Sequence, residues 1–386
     1  MIGAMDVIHA SQPFPQAVTR TIFLAGPAPS DANGPSWRRE ALNLLAEQGY
    51  NGTVFDPEPA DNVMRHADGD QRAWEQEGLR RADCIVFWIP RQLDTKSSFI
   101  AHVDLGAWLR SGKVVLGTPD ALNLRYFRQL ADNAPVILTS TLAATVESAL
   151  AHVGAGVARR LGECQVPANI FSTPAFKAWY GAQRTAGNTL VGATVEWVFR
   201  VGPQEQVFYF ALLVDIMVGA EGRHKKNEVV LARPDVAAMV LYHRGPTPRQ
   251  TRVVLIREFR SPAITEDAHV RECPGGSSFE VTDDFRRVAL DEVREEVGLR
   301  LDTSRVRLVG ARQLAGTTSS HRAHVFAAEL TATEIDTLCA AAEVVHGADA
   351  DERTTVEIWA LDDLLQKPAV DWSTLGMITA ALSTEE

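Results

Sequence analysis

Between Arg271 and Leu299 the chain reads RECPGGSSFEVTDDFRRVALDEVREEVGL: a Gly-Gly turn, a polar loop and a carboxylate-studded run. The apolar spacing predicts a helix over about 283–297. On that helix Glu292, Glu295 and Glu296 fall at i, i+3 and i+4, so three carboxylates share one face. Like charges so placed repel. A hard cation, Mg²⁺ or Mn²⁺, takes carboxylate oxygens, keeps waters and phosphate oxygens as its other ligands, and would remove that repulsion. The residues therefore read as a divalent-metal and diphosphate site. The competing reading is a solvated acidic helix face, the ordinary meaning of a charge run. Pro274-Gly275-Gly276 before the helix and Gly298 at the C′ position after it favour the site.

Three hundred and eighty-six residues, 46% apolar and 23% charged, have the make-up of an ordinary globular protein, and two domains are the natural expectation at this length. The formal net charge of -11 argues against a nucleic-acid partner, because phosphate neutralisation dominates such binding and no Lys/Arg run offsets the deficit. A small phosphorylated substrate stays compatible, since a bound metal reverses the local sign. Cys84, Cys164, Cys273 and Cys339 are scattered, with no C-x-x-C pair, and read as reduced thiols. No basic and apolar leader opens the chain and no apolar run reaches the length of a membrane span. A cytoplasmic protein without a membrane partner is expected.

From Thr21 short apolar runs alternate with helical patterns: TIFLAG, SWRREALNLLAEQGY, TVFDPEP, RAWEQEGLRRA, DCIVFWIP, HVDLGAWLRSG, KVVLGTP. Strand and helix in turn imply an α/β domain with a doubly wound parallel sheet, whose ligands sit at the carboxyl ends of the strands. Polar and glycine residues collect at those ends: Gly26-Pro27, Asp56-Pro57-Glu58, Pro90-Arg91 and Gly117 to Asp120. Ser36 is placed to cap the first helix and leave its backbone N–H groups for an anion. Loops of any α/β protein carry such residues, so alone they decide little.

Together, FLAGP at 23–27, SWR at 36–38, Trp74-Glu75, Ala82-Asp83, FWIPR at 87–91, VDLG at 103–106 and SGKVV at 111–115 resemble the nucleoside 2-deoxyribosyltransferase-like family over roughly 21–150. The resemblance implies a flavodoxin-like sheet and action on the N-glycosidic bond of nucleosides or their 5′-monophosphates. It puts Asp104 where the family carries a catalytic Glu, with Asp83 orienting the base or a ribose hydroxyl. Gly26, Pro27, Ser36, Glu58, Arg91 and His102 would line the substrate. A carboxylate suits the task, because glycosidic cleavage passes through an oxocarbenium-like state. Where the subfamily shows F-T-T-N-V-E-F-G, this chain has Phe99-Ile100-Ala101-His102-Val103-Asp104-Leu105-Gly106. Either the pocket is retuned or the domain now only binds a nucleotide. Trp74 and Trp88 read either as base-stacking rings or as core.

The 20–155 domain is followed by a linker or helical segment over 156–193. From 194 the periodicity changes to two, through TVEWVFRV, QVFYFALLVDIMVG, NEVVLARPDVAAMVLYHR and TRVVLIREFR, as antiparallel strands would have it. Those strands and the glutamate helix resemble the Nudix hydrolases, whose box reads G-x(5)-E-x(7)-R-E-U-x-E-E-x-G-U. Residues 292–299 fit it, with Asp291 in place of its Arg, Asp283 in place of its first Glu, and one residue inserted in the loop at 277–279. The resemblance implies an α/β/α sandwich with a mixed sheet over 194–386. It also implies metal ligands at Glu292, Glu295, Glu296 and Glu280, and a base at Asp351 or Glu352. Arg257 and Arg260 either meet substrate phosphate, as in enzymes acting on ADP-ribose or sugar nucleotides, or pair with Glu258 or Glu272. Both resemblances imply a homo-oligomer. The combined expectation is a bifunctional enzyme on a small-molecule nucleotide. Its alternative is one diphosphate hydrolase whose first domain binds nucleotide or dimerises without catalysis.

Overall fold

TIFLA and CIVFW are apolar at nearly every position, which a strand tolerates only when both faces of its sheet are covered. The computed structural model describes residues 5–27, 36–59, 69–90, 96–119, 121–132, 134–202, 205–277, 282–341, 344–347 and 353–383. They form two compact units, 1–231 and 232–386. The antiparallel strands expected to open the second domain at 194 fall in the first unit.

In the first unit, strands β1 (Asp6–His9), β2 (Thr21–Ala25), β3 (Thr53–Asp56), β4 (Cys84–Trp88), β5 (Val114–Gly117) and β6 (Ile137–Thr139) alternate with helices. The helices are α1 (Trp37–Glu47), α2 (Gly69–Arg81), α3 (Lys96–Trp108), α4 (Ala121–Ala131) and α5 (Leu142–Val153). All six strands run parallel in the order β1-β3-β2-β4-β5-β6, consistent with a flavodoxin-like fold. Ile22, Leu24, Val54 and Val86 pack toward α1 and α5, while Phe23, Phe55, Ile85 and Phe87 pack with Trp74, Leu105 and Phe127 on the other face. Trp74 and Trp88 belong to these cores, which decides against base stacking in favour of packing. The order reverses between β2 and β4, so the crevice for a ligand opens beside the carboxyl end of β2.

The segment over 156–193 is bound into this unit. Arg159, 1% exposed, gives both terminal nitrogens to the Asp83 carboxylate at 2.8 and 2.5 Å. Beyond it come α6 (Pro174–Thr185) and a sheet of β7 (Thr189–Val201), β8 (Gln206–Val218) and β9 (Arg223–Ala232), in the order β9-β8-β7.

The second unit is built on β10 (Val236–His243), β11 (Arg252–Phe259), β12 (His269–Glu272), β13 (Gly275–Gly276), β14 (Arg307–Gln313), β15 (Arg322–Glu329), β16 (Val345–His346) and β17 (Thr354–Ala360). Its main path is β14-β15-β10-β11-β17-β16, with β12 on β11 and β13 on β10; β10 and β15 are parallel and the other pairs antiparallel. Met239, Leu241, Val254 and Ile256 face α7 (Phe285–Glu292) and α8 (Ala332–Ala340). Val240, Tyr242, Val253 and Leu255 face α9 (Leu361–Gln366) and α10 (Trp372–Ser383). Period-two alternation along β10 and β11 thus serves two helical layers.

Arg159→Met strands the buried Asp83 carboxylate, so unfolding in urea is expected to need about 3 kcal/mol less. An unchanged midpoint would show that the pair does not hold the segment.

Candidate functional site

At the carboxyl end of β2 the chain turns at Gly26, whose φ is +144° and whose Cβ, were there one, would lie 2.4 Å from the Trp88 carbonyl oxygen. Only glycine lets β2 and β4 part so closely here. Ser36 caps α1 by accepting from Arg38 N, and its hydroxyl donates to Glu58 Oε1 at 2.7 Å. Arg38 is buried and donates to Glu58 Oε1 (2.8 Å), the Leu24 carbonyl (3.0 Å) and the Gly26 carbonyl. Trp37 Nε1 donates to the Pro27 carbonyl at 3.1 Å. Burial pushes the Asp56 carboxyl up, against the opposing pull of Arg38. Gly26, Pro27, Ser36 and Glu58 are therefore brought together, with Arg38 as the cation that binds them.

Asp104 joins this end through α2. Gln71 reaches the Pro57 carbonyl at 3.5 Å and Glu75 at 3.2 Å, Arg72 reaches Glu75 at 3.3 Å, and Arg72 forks onto Asp104 at 2.8 and 2.6 Å. Gln76 adds a third N–H to Asp104 at 3.1 Å. The hydrogen bond to Asp104 holds the Arg72 guanidinium above its ordinary value. The Asp104 side chain is 13% exposed and the Arg72 side chain 40%, so the arginine is the partner better placed to swing toward solvent or a phosphate.

Residues 19–122 match the family model for nucleoside 2-deoxyribosyltransferase-like proteins. The first unit thus carries a deoxyribosyltransferase-like domain, a family of nucleoside processing, and the matched stretch contains Gly26, Glu58, Arg72 and Asp104. Among curated proteins none matches the chain.

Two expected residues of the deoxyribosyltransferase-like domain lie elsewhere. Asp83 stands before β4, at the amino end of the sheet, and both its oxygens are taken by Thr21 N, Ala168 N and Arg159. It cannot orient a base from there; it anchors the chain. His102 is two residues from Asp104 on α3, about 200° around the helix, and its ring lies against Phe127 of α4 at 6.3 Å while Asp104 faces α2. Arg91 lies outside the described residues. Arg72, Gln76 and the role of Arg38 were not legible in the sequence, since an Arg or Gln on a polar helix reads as solvated until its partner is known.

In the second unit Asp284 caps α7, which gives way to a π-helical turn over Val293–Val297 and ends on Gly298 with φ +72°. The wider turn changes which faces the glutamates occupy. Glu296 turns inward and accepts from Gly275 N at 2.9 Å, and Glu292 lies where a Cβ on Gly276 would be 2.1 Å from its Oε1. Glu295 goes the other way, half-exposed and paired with Arg294 at 2.9 Å. The single face of three carboxylates is corrected to an inward pair. Burial, then the charges of Glu292, Glu272 and Glu258, push Glu296 up to about 8. Arg260 pairs with Glu258 at 2.9 Å and Glu272 at 3.2 Å, whereas Arg257 pairs with Asp267 at 3.1 Å and Glu357 at 3.6 Å. Asp283 is exposed, and Asp291 sits between Arg287 and Arg294 at 3.7 and 3.5 Å. Glu280, Asp351 and Glu352 lie outside the described residues, and among the described residues no three His, Cys, Asp or Glu side chains are arranged to hold a metal ion.

Because the folded protein binds the Glu296 proton more tightly than the unfolded chain, its contribution to stability is complete below about pH 4.5 and is lost as pH rises through about 8. Over that range and without divalent cations, Tm of the second unit's transition is expected to fall by roughly 5 °C more in the natural protein than in Glu296→Gln. Parallel pH profiles of the two in calorimetry would remove the assignment.

Proposed function

We propose that the deoxyribosyltransferase-like domain acts on the N-glycosidic bond of a nucleoside or nucleoside monophosphate through Asp104. The observation that carries the reading is a buried carboxylate inside the matched segment, oriented by Arg72 and Gln76 and tied through α2 to the loop holding Glu58. In this reading a carboxylate oxygen bonds the anomeric carbon as the C–N bond breaks, the bonding pair leaves on the base nitrogen, and that nitrogen takes a proton from solvent water. Water or a second base then displaces the carboxylate. Arg72 has to release its fork first, and its exposed side chain suits a move onto a 5′-phosphate. Ser36 and Glu58 would meet the sugar hydroxyls. Asp is one methylene shorter than the family's Glu, so the reach is retuned rather than copied.

For the second unit we propose Nudix-type hydrolysis of a nucleoside diphosphate derivative. Its support is the α/β/α layering with a mixed sheet and the inward pair Glu292 and Glu296 under the Gly275-Gly276 turn. Two neighbouring carboxylates, with the charge of Glu292 raising the proton affinity of Glu296, are a donor set that suits a divalent cation. Bound there, Mg²⁺ or Mn²⁺ would supply Lewis acidity toward a diphosphate. Glu292 and Glu296 would hold it, and Arg260, on its carboxylate pair and within electrostatic reach of Glu296, would meet phosphate. Release of a nucleoside monophosphate by this unit would feed the glycosidic step of the first.

The rival reading, a nucleotide-binding first domain without catalysis, draws on the same geometry: Asp104 accepts three N–H donors and is quiet as a nucleophile until they leave. Chromatography of the full chain with nucleosides and nucleoside monophosphates, without metal, separates the two. Free base is expected, falling by about 100-fold or more in Asp104→Asn. Nucleotide binding without any base release, with Asp104→Asn silent, would leave the binding reading standing. With Mg²⁺ and ADP-ribose or a sugar nucleotide, Glu296→Gln is expected to lower monophosphate release by about 100-fold. Equal rates in both proteins would end the Nudix assignment.

A further inference from the structure

At the amino ends of β5 and β6, opposite the crevice that holds Glu58, the first unit contains a cavity of about 1130 Å³. Its walls come from the ends of α3, α4 and α5, the segment before α6, and the turn between β7 and β8. Two cations line it. Arg200 donates to the Ser111 and Glu205 carbonyls, each at 3.0 Å, while its Nε is buried without a hydrogen-bond partner. Burial lowers its guanidinium below the ordinary value against the opposing charge of Glu205, which forms no ion pair with it. The chain makes room for this charge at Gly112, whose φ is +70° and whose Cβ would fall 2.4 Å from Arg200 Cζ.

A half-buried guanidinium whose hydrogen bonds go to carbonyls keeps charge to offer an anion, and perturbed ionisable groups lining a cavity mark candidate ligand sites. Arg110, exposed on the rim, likewise has no ion-pair partner among the described residues. Ser172 and Thr173 bring the start of α6, a twelve-residue helix, to the same wall, with its positive dipole end toward the space. His152 completes the polar side; burial first, then Arg200, holds its imidazole below the ordinary value, so it presents as a neutral hydrogen-bonding ring. Val136, Val198 and Val207 give an apolar side. Asp132 and Glu205 also line the cavity, Glu205 with its charge acting on Arg200, and Arg110 and Arg200 are the arginines of the lining. The space is ample for a nucleotide-sized molecule.

We propose that this cavity is a second small-molecule site, distinct from the Asp104 crevice, which takes an organic phosphate with its phosphate on Arg110 and Arg200 and its apolar part on the valines. The glycosidic reading does not enter the argument.

Calorimetric titration of the full chain with AMP tests it, with adenosine and inorganic phosphate as partial ligands. The expected result is an AMP binding event that inorganic phosphate competes away and adenosine does not. It weakens by about tenfold or more in Arg110→Gln and Arg200→Gln and persists in Asp104→Asn. Arg200→Gln gives up two backbone contacts, so a melting curve accompanies it; if that variant fails to fold, exposed Arg110 decides. Absence of any AMP event overturns the proposal. So does an event that Arg110→Gln leaves unchanged, or one that only Asp104→Asn removes, which would assign AMP to the crevice.

Discussion

Asp83 takes four N–H donors, from Thr21, Ala168 and both terminal nitrogens of Arg159, in a place water does not reach. A buried carboxylate is tolerated only when such donors satisfy it, and satisfying it from three separate stretches of chain fixes where those stretches go. β2 is set beside β4, the segment after α5 is drawn under the sheet, and α6 and β7 start from a defined position. The cavity at the amino ends and the crevice at the carboxyl ends are both shaped by strands that this contact registers.

The charged groups of the first unit differ in how completely they are answered. Asp83 and Arg159 answer each other, and backbone groups take up their remaining hydrogen bonds. Asp104 is answered by Arg72 and Gln76, but on a face where the arginine reaches solvent. Arg200 gives its hydrogen bonds to carbonyls, with the Glu205 charge acting on it without an ion pair. This gradation tracks the proposed roles: full compensation suits an anchor, a removable partner suits a carboxylate that must act, and an unmet charge suits a group awaiting a ligand.

The glutamates of the second unit follow the same logic with the opposite sign. A π-helical turn separates Glu296 from Glu295, sending one to the Gly275 backbone and the other to Arg294. Glycine at 276 is required because the Glu292 carboxylate occupies the volume a side chain would take. Repulsion among Glu292, Glu296, Glu258 and Glu272 is relieved in part by Arg260 and in part by holding the Glu296 proton.

The sequence alone made the parallel sheet of the first unit legible, because short unbroken apolar runs between helical patterns suit strands covered on both faces, and the strands of the second through their periodicity, whereas its mixed, layered sheet was an expectation of the Nudix resemblance. It also determined the gathering of Gly26, Pro27, Ser36 and Glu58, since residues at the carboxyl ends of neighbouring strands have nowhere else to be. Asp83, Arg38, Arg72 and Arg200 were decided only by the tertiary structure. Each is a charge whose meaning is its partner: Asp83 finds Arg159 seventy-six positions away, Arg72 finds Asp104 thirty-two away, and Arg200 finds the Ser111 and Glu205 carbonyls. The split of the glutamate face had the same origin, because one extra residue in a helical turn is a response to packing of Val293 and Val297 against the sheet, and helical periodicity read from spacing assumes the turn is regular.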